Sequence, residues 1–194
     1  MKQHQPLILS SSSPARLELL SRLKLSFIVN VPNIDETQLA NEKIPDMVVR
    51  LAEEKARKSA EQYKDALIIG ADTVGVLDEH VLGKPLTEKN AKDQLRLMSG
   101  KMVRYYIGLC LYNAKTDHVQ KSLETFDVHF RELSDELIDY YLKNENALNC
   151  SGSFKAEGLG VILVEKFVGE DFSALVGLPL IRLIQMLENT HAIA

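Results

Sequence analysis

The chain has 194 residues, 45% of them hydrophobic and 26% charged, with a formal net charge of -4. That balance belongs to a globular protein, and at this length folding removes roughly 70% of the unfolded surface from water, so the core needs neither disulfides nor a structural metal. The acidic balance excludes a protein that coats nucleic acid through a broad basic face, while leaving room for a local basic pocket. One domain spanning 1–194, or two closely joined lobes, is expected. Cys110 and Cys150 are the only cysteines. They lack metal-binding or redox spacing, and a reducing cytoplasm suits them. The longest apolar runs, Leu67 to Ala71 and Val161 to Val164, are too short to cross a bilayer, so no membrane association is expected. The five histidines are scattered without the short spacing of a helical zinc site, and they read as surface or structural residues.

Leu7-Ile8-Leu9 predicts a strand that runs into four serines and Pro14, followed by Leu17, Leu19, Leu20 and Leu23 at helical spacing. Ser13 suits the N-cap of that helix and Pro14 its first position, where a missing N–H is harmless. Ser26 to Val31 predicts a second strand, and Asn33 to Thr37 an acidic loop. Ile44 to Tyr63 predicts a helix with Val48, Leu51, Ala52 and Ala56 on its apolar stripe, and Lys55 falls on the same stripe. Leu67 to Leu77 is a nearly unbroken apolar run, the pattern of a buried central strand, interrupted by Asp72. Thr87 caps a helix ending near Gly100, and Met102 to Tyr112 with Glu124 to Phe130 form an expected antiparallel pair. Ser134 caps a further helix whose first turn carries Asp135 and Glu136. A glycine-rich turn from Gly152 to Gly160, a strand from Val161 to Phe167 and a final apolar helix opened by Gly177-Leu178-Pro179 complete a mixed α/β sheet protein.

Asp72 is the most informative single residue. An ionised carboxylate in an apolar strand is costly unless paired, hydrogen-bonded or bound to a metal. Taken alone, it is equally well a strand-end carboxylate held by backbone N–H groups. The turn from Ser10 to Arg16, including Ser11, offers hydroxyls, backbone N–H groups and a helix N-terminus to an anion, and Arg16 adds a bidentate phosphate fork. Its place after a first β-strand is where α/β proteins bind ligands. Lys55 either snorkels out of its apolar face or turns inward to a partner. Gly83-Lys84-Pro85 places a lysine between a flexible and a rigid residue beyond the Asp72 strand, and as a bare tripeptide it is a turn. Glu36, solvated by default, could join Asp72 in holding a hard divalent cation that also touches substrate phosphates.

These segments together resemble the Maf family of nucleotide pyrophosphatases, almost end to end. The resemblance is carried by Leu7-Ile-Leu-Ser-Ser-Ser-Ser-Pro-Ala-Arg16, Val31-Pro-Asn-Ile-Asp-Glu-Thr37, Arg50-Leu-Ala-Glu-Glu-Lys-Ala56, Ile69-Gly-Ala-Asp-Thr73, Gly83-Lys-Pro85 and Leu175-Val-Gly-Leu-Pro179. It implies a two-lobed fold like that of the Maf and inosine-triphosphatase proteins, with an elongated mixed sheet flanked by helices and a central cleft. The implied reaction is metal-dependent, with Mg, Mn or Co as the divalent cation, and converts a nucleoside triphosphate to the monophosphate and pyrophosphate. On this resemblance Asp72 is the catalytic proton acceptor. Ser11, Arg16, Lys55 and Lys84 face the phosphates, and Glu36 joins Asp72 as a metal ligand.

Two substrate branches of the family are relevant, one acting on dTTP and UTP and the other on 7-methyl-GTP. Gly152-Ser-Phe-Lys-Ala-Glu-Gly158 resembles the methylguanine branch, and the pyrimidine branch usually has Gln in place of Glu157. A carboxylate accepts two hydrogen bonds, so Glu157 can receive both N1–H and the exocyclic amine of guanine, and its charge favours a cationic 7-methyl ring. A Gln, with one donor and one acceptor, suits uracil or thymine. Ala15 and Thr73 depart from the methylguanine branch, which often carries Trp and Gln there, and Ile107 replaces a frequent Thr. The segment Phe126-Asp-Val-His-Phe-Arg-Glu-Leu133 favours the methylguanine branch.

The expected activity is thus pyrophosphate release from 7-methyl-GTP, keeping a modified nucleotide out of nucleic acid, with dTTP and UTP as the alternative substrates. The rival of another class is a non-catalytic regulator of cell division, acting on septum formation. Such a regulator has no physical need for Asp72 beside Arg16, Lys55 and Lys84. The expected partner is a small-molecule nucleotide, with no nucleic acid and no membrane, and a homodimer is possible.

Overall fold

The computed structural model describes residues 3–191. In chain order the elements are β1 (Leu7–Ser10), α1 (Pro14–Ser21), β2 (Phe27–Asn30), α2 (Ile44–Ala60), β3 (Leu67–Leu77), β4 (His80–Leu82), α3 (Glu88–Met98), β5 (Met102–Asn113), β6 (His118–Phe130), α4 (Asp135–Asn144), β7 (Val164–Val168), α5 (Phe172–Val176) and α6 (Leu180–Asn189). The strands form a mixed sheet in the order β2-β1-β3-β5-β6-β7, with β4 paired to β3. Two compact units divide the described residues. The first takes the segments up to Asp72, Ile107–Glu124 and the residues from Gly177 onward; the second takes Thr73–Tyr106 and Thr125–Val176.

In the first unit β1 pairs in parallel with both β2 and β3, with Ser10 opposite Gly70. Every residue of β1, and of β3 as far as Asp72, is buried, as expected for parallel strands covered on both faces. The buried face of α2 is Met47, Val48, Leu51, Ala52, Lys55, Ala56, Ser59 and Ala60. Ala52, Ala56 and Ala60 pack with Ile8, Ala66, Ile68, Cys110 and Tyr112 in one cluster. The small side chains bring α2 down onto the strands. A Cβ at Gly70 would stand 2.0 Å from the Ala52 carbonyl oxygen, and one at Gly108 would stand 2.1 Å from that of Val48, one helical turn earlier. Glycine at both strand positions therefore seats the helix against bare backbone.

In the second unit β4 folds back antiparallel on β3, and β7 pairs antiparallel with β6 through an irregularity at His129 and Phe130. Helices α3 and α4 are joined by Lys92 to Asp139 at 2.7 Å and Arg96 to Asp135 at 2.8 Å. Thr87 and Ser134 cap them, each accepting a hydrogen bond from the backbone N–H three residues on. Phe130 and Phe154 meet edge to face in this unit's core, and the buried Phe126 makes edge-to-face contacts with the half-buried Phe167 and the exposed Phe172.

The structure departs from the sequence expectation at four places. Strand β6 starts at His118 rather than Glu124, because its first half is largely solvated and carries polar residues where a core strand would be apolar. The glycine-rich turn contains short 3-10 helices at Ser151–Ser153 and Leu159–Leu163, so β7 begins at Val164 rather than Val161. The backbone enters the left-handed region at two successive residues there, Gly152 and Ser153, with φ of 67° and 57°. Strand β4 and helix α5, of three and five residues, are too short to show a period. Among the described residues no helix is long and apolar enough to cross a membrane.

Candidate active site

Helix α1 begins as its sequence demands. Ser13 accepts a hydrogen bond from the Arg16 N–H at 3.4 Å, and Pro14 opens the helix. That start turns the half-buried Arg16 back over the serine turn. Its Nε donates to the Gly177 carbonyl at 2.8 Å, and a terminal nitrogen lies 3.5 Å from Ser11 Oγ. Ser11 Oγ also accepts from the Ser13 N–H at 3.1 Å. Burial pulls the Arg16 guanidinium below its ordinary pKa, while the carboxylates of Asp72 and Glu36 oppose that shift. Arg16 thus shares one electrostatic neighbourhood with both acidic candidates.

Lys55 does not snorkel. It is 7% exposed, as is Asp72, and its Nζ lies 2.6 Å from Asp72 Oδ1 and 2.9 Å from Glu36 Oε1. One ammonium thereby gathers the carboxylate of β3 and the carboxylate of the acidic loop. Glu36 itself is largely exposed, so this cluster is wet on one side and dry on the other. The structure brings Ser11, Arg16, Glu36, Lys55 and Asp72 into the first unit.

Three supporting residues, Ser59, Arg50 and Glu42, carried no role in the sequence reading, and a fourth, Ser10, takes a role other than the anion-facing one expected for its turn. Ser10 Oγ donates to the Lys55 carbonyl at 2.6 Å and lies 2.6 Å from Ser59 Oγ, which must then be the donor of that second bond. Ser10 is completely buried and committed to fastening β1 to α2, so its hydroxyl is not one of the anion-facing groups. Ser59 was recognisable only as the residue four positions after Lys55 on the same stripe. Arg50 grips the acidic loop: it makes two hydrogen bonds to Glu42, at 2.6 and 2.7 Å, and one to the Thr37 carbonyl at 3.2 Å. These bonds hold Glu42 well below its usual range, at about 2. Thr37 follows Glu36, so Arg50 and Glu42 fix the loop that delivers Glu36.

Lys84, Thr73 and Glu157 lie in the second unit, whereas Ala15 lies in the first. Thr73 is half-buried on β3, and Ala15 is half-buried in the first turn of α1. The Gly83-Lys84-Pro85 turn is pinned on three sides. The Gly83 carbonyl accepts from Gly152 N–H at 3.2 Å and Gln94 Nε2 at 3.0 Å, and the Pro85 carbonyl accepts from Asn90 Nδ2 at 2.9 Å. Gln94 also bonds Ser153 Oγ at 2.5 Å, so it couples the lysine turn to the glycine-rich loop. Lys84 and Glu157 are both exposed, and both act electrostatically on the Cys150 thiol. Gln94 was invisible in the sequence because nothing local marks a helix residue that serves two distant loops.

The donor set can be tested against the divalent cation expected from the sequence. Among the described residues no group of three or more His, Cys, Asp or Glu side chains is arranged for a metal ion. Asp72 and Glu36 are a pair of hard oxygen donors already converging on one positive charge, Lys55 Nζ. Two carboxylates with the remaining positions left to water and phosphate oxygens fit a magnesium-type ion.

Residues 6–190 match the Maf-like protein family. A relative from Methylobacillus flagellatus, named 7-methyl-GTP pyrophosphatase, is 52% identical over 184 residues, covering 95% of this chain and 96% of the relative. Among solved structures, the Ham1 protein of Staphylococcus aureus is similar over 65% of this chain and 72% of its own, with a TM-score of 0.43 and 10% identity. The match over nearly the whole length, with the acidic and basic residues of the motifs gathered around Lys55, makes this chain a member of the Maf family.

Proposed function

We propose that this chain is a nucleoside triphosphate pyrophosphatase that cleaves 7-methyl-GTP to 7-methyl-GMP and pyrophosphate. The observation that carries the reading is the buried Lys55–Asp72 pair with Glu36 on the same ammonium. A buried charge pair costs desolvation that apolar packing would avoid, so its presence on a core strand favours a chemical role. In that role Asp72 orients a water molecule and takes its proton. The water oxygen bonds to the α-phosphorus as the bond from that phosphorus to the bridging oxygen breaks, and pyrophosphate departs. Lys55, Arg16, Lys84 and Ser11 bind the triphosphate and offset its charge. Asp72 and Glu36 would hold a divalent cation, Mg, Mn or Co, which supplies further neutralisation of the phosphates when bound.

The name of the Methylobacillus relative supports 7-methyl-GTP as the substrate, and Glu157 supplies the chemistry that would read it. Ala15 and Thr73 are the other proposed specificity positions. Both cysteines are free thiols, consistent with work in the cytoplasm. The decisive assay measures pyrophosphate release from 7-methyl-GTP, GTP, dTTP and UTP, each with Mg, Mn and Co ions and after chelation. The expected result is metal-dependent turnover with 7-methyl-GTP preferred. Preference for UTP or dTTP would transfer the chain to the pyrimidine branch, and no turnover of any nucleotide would overturn the enzyme reading. Glu157→Gln is expected to lower kcat/KM for 7-methyl-GTP by about tenfold or more, the loss of one charge-assisted hydrogen bond.

A further inference from the structure

The loop that carries Glu157 contains its own competitor for that carboxylate. Lys155 stands two residues away; its ammonium is raised above its ordinary pKa chiefly by its hydrogen bond to Glu145, and the Glu157 charge adds to the same shift. An ion pair between Lys155 and Glu157 would neutralise the group proposed to read the base. The structure gives Lys155 a different partner: its Nζ lies 2.7 Å from Glu145 Oε1, just beyond the end of α4. The second carboxylate oxygen of Glu145 accepts the Leu159 N–H at 2.9 Å, on the far side of Glu157. Glu145 is thus bonded to the loop both before and after the recognition residue.

The backbone is shaped around this carboxylate. A Cβ at Gly158 would stand 2.2 Å from Glu145 Oε2, so a side chain after Glu157 would displace the Glu145 carboxylate from its place against the loop. Tyr141, one turn earlier on α4 and completely buried, accepts from the Lys155 N–H at 3.0 Å and donates to the Ser153 carbonyl at 3.2 Å. Glu157 is left exposed, with no hydrogen bond or ion pair to another described side chain.

We propose that Glu145 is a positioning residue for base recognition, which takes the Lys155 ammonium and the Leu159 N–H so that the Glu157 carboxylate is presented uncompensated to the cationic ring of 7-methylguanine. This inference rests on the substrate reading above. It assigns Lys155 no contact with substrate; the lysine is a charge that must be kept occupied. In Glu145→Gln the side-chain volume stays while the counter-charge goes, and Lys155 turns to Glu157.

The test compares kcat/KM for 7-methyl-GTP and for GTP in the wild type, Glu145→Gln, Lys155→Met, the double variant and Glu157→Gln, with thermal unfolding of each. Glu145→Gln is expected to reduce the preference for the methylated nucleotide by about tenfold, mainly through KM. Adding Lys155→Met to Glu145→Gln should restore the preference, because no cation remains to capture Glu157, and Lys155→Met alone should leave it unchanged. A merely structural role for Glu145 would depress both nucleotides equally and would not be rescued, and either result overturns the inference. If Glu157→Gln leaves the preference intact, the substrate reading itself fails. If Glu157→Gln acts as expected and the double variant shows no rescue, only the role of Glu145 fails.

Discussion

Lys55 donates to Asp72 at 2.6 Å with both side chains about nine-tenths buried, one from the middle of a helix and the other from the middle of an apolar strand. Removing either partner leaves a charge in a poor solvent, whereas replacing both by apolar groups would spare the desolvation cost altogether. In the mechanism proposed above the pair is a poised reactant rather than a structural brace. Asp72→Asn retains an oxygen that can accept from Nζ, and Glu36 remains 2.9 Å away as a negative partner. The expected result is a loss of turnover of about a hundredfold to ten-thousandfold with unchanged far-ultraviolet circular dichroism. Activity near that of the wild type would remove Asp72 from the mechanism.

Gly70→Ala tests how the pair is held in place. The new methyl group would meet the Ala52 carbonyl at 2.0 Å, a contact with backbone that no rotamer change relieves. Overpacking of this kind costs about 1–3 kcal/mol. For a chain of this size the unfolding midpoint is expected to drop by roughly 2–4 °C per kcal/mol. Because α2 carries Lys55, turnover should fall as well, and by more than in a control such as Val161→Ala on the exposed surface. Unchanged unfolding and turnover would show that the helix can lift without consequence.

The acidic loop should announce itself in the pH dependence of stability. Glu42 has a folded pKa of about 2 against an ordinary 4.5, because Arg50 donates to it. A depressed carboxylate contributes stability that is fully present above its unfolded pKa and is lost as the pH falls through the folded one. Urea unfolding midpoints should thus decline between about pH 4.5 and 2. In Glu42→Gln the slope over that window should flatten, because the titrating group is gone. An identical slope in the variant would place the acid sensitivity elsewhere.

Much of the first unit was readable in advance because its signals are local. Ser13 and Pro14 announce the start of α1, and the apolar run from Leu67 to Leu77 coincides with β3 residue for residue. The orientation of Lys55 was not readable: its partner is 17 residues away on another element, and a lysine on an apolar stripe is equally at home pointing outward. Gln94 and Glu145 escaped notice for the same reason, since each acts on backbone brought near only by the fold. Strand β6 was read too short because the rule of alternating burial loses its contrast where most of the side chains meet water.

Gly70 and Gly108 also set a limit on how this protein can change. Where a helix rests on side chains, its height above the sheet can be retuned by exchanging one apolar residue for another, and such drift accumulates over generations. Here the height is set by two backbone carbonyls, at Ala52 and Val48, against two strands with no side chain between them. Core substitutions elsewhere along α2 therefore have no lever by which to move Lys55 relative to β3. Descendants of this sequence are free to vary exposed loops such as that of Glu157, while Lys55 stays locked to a fixed platform.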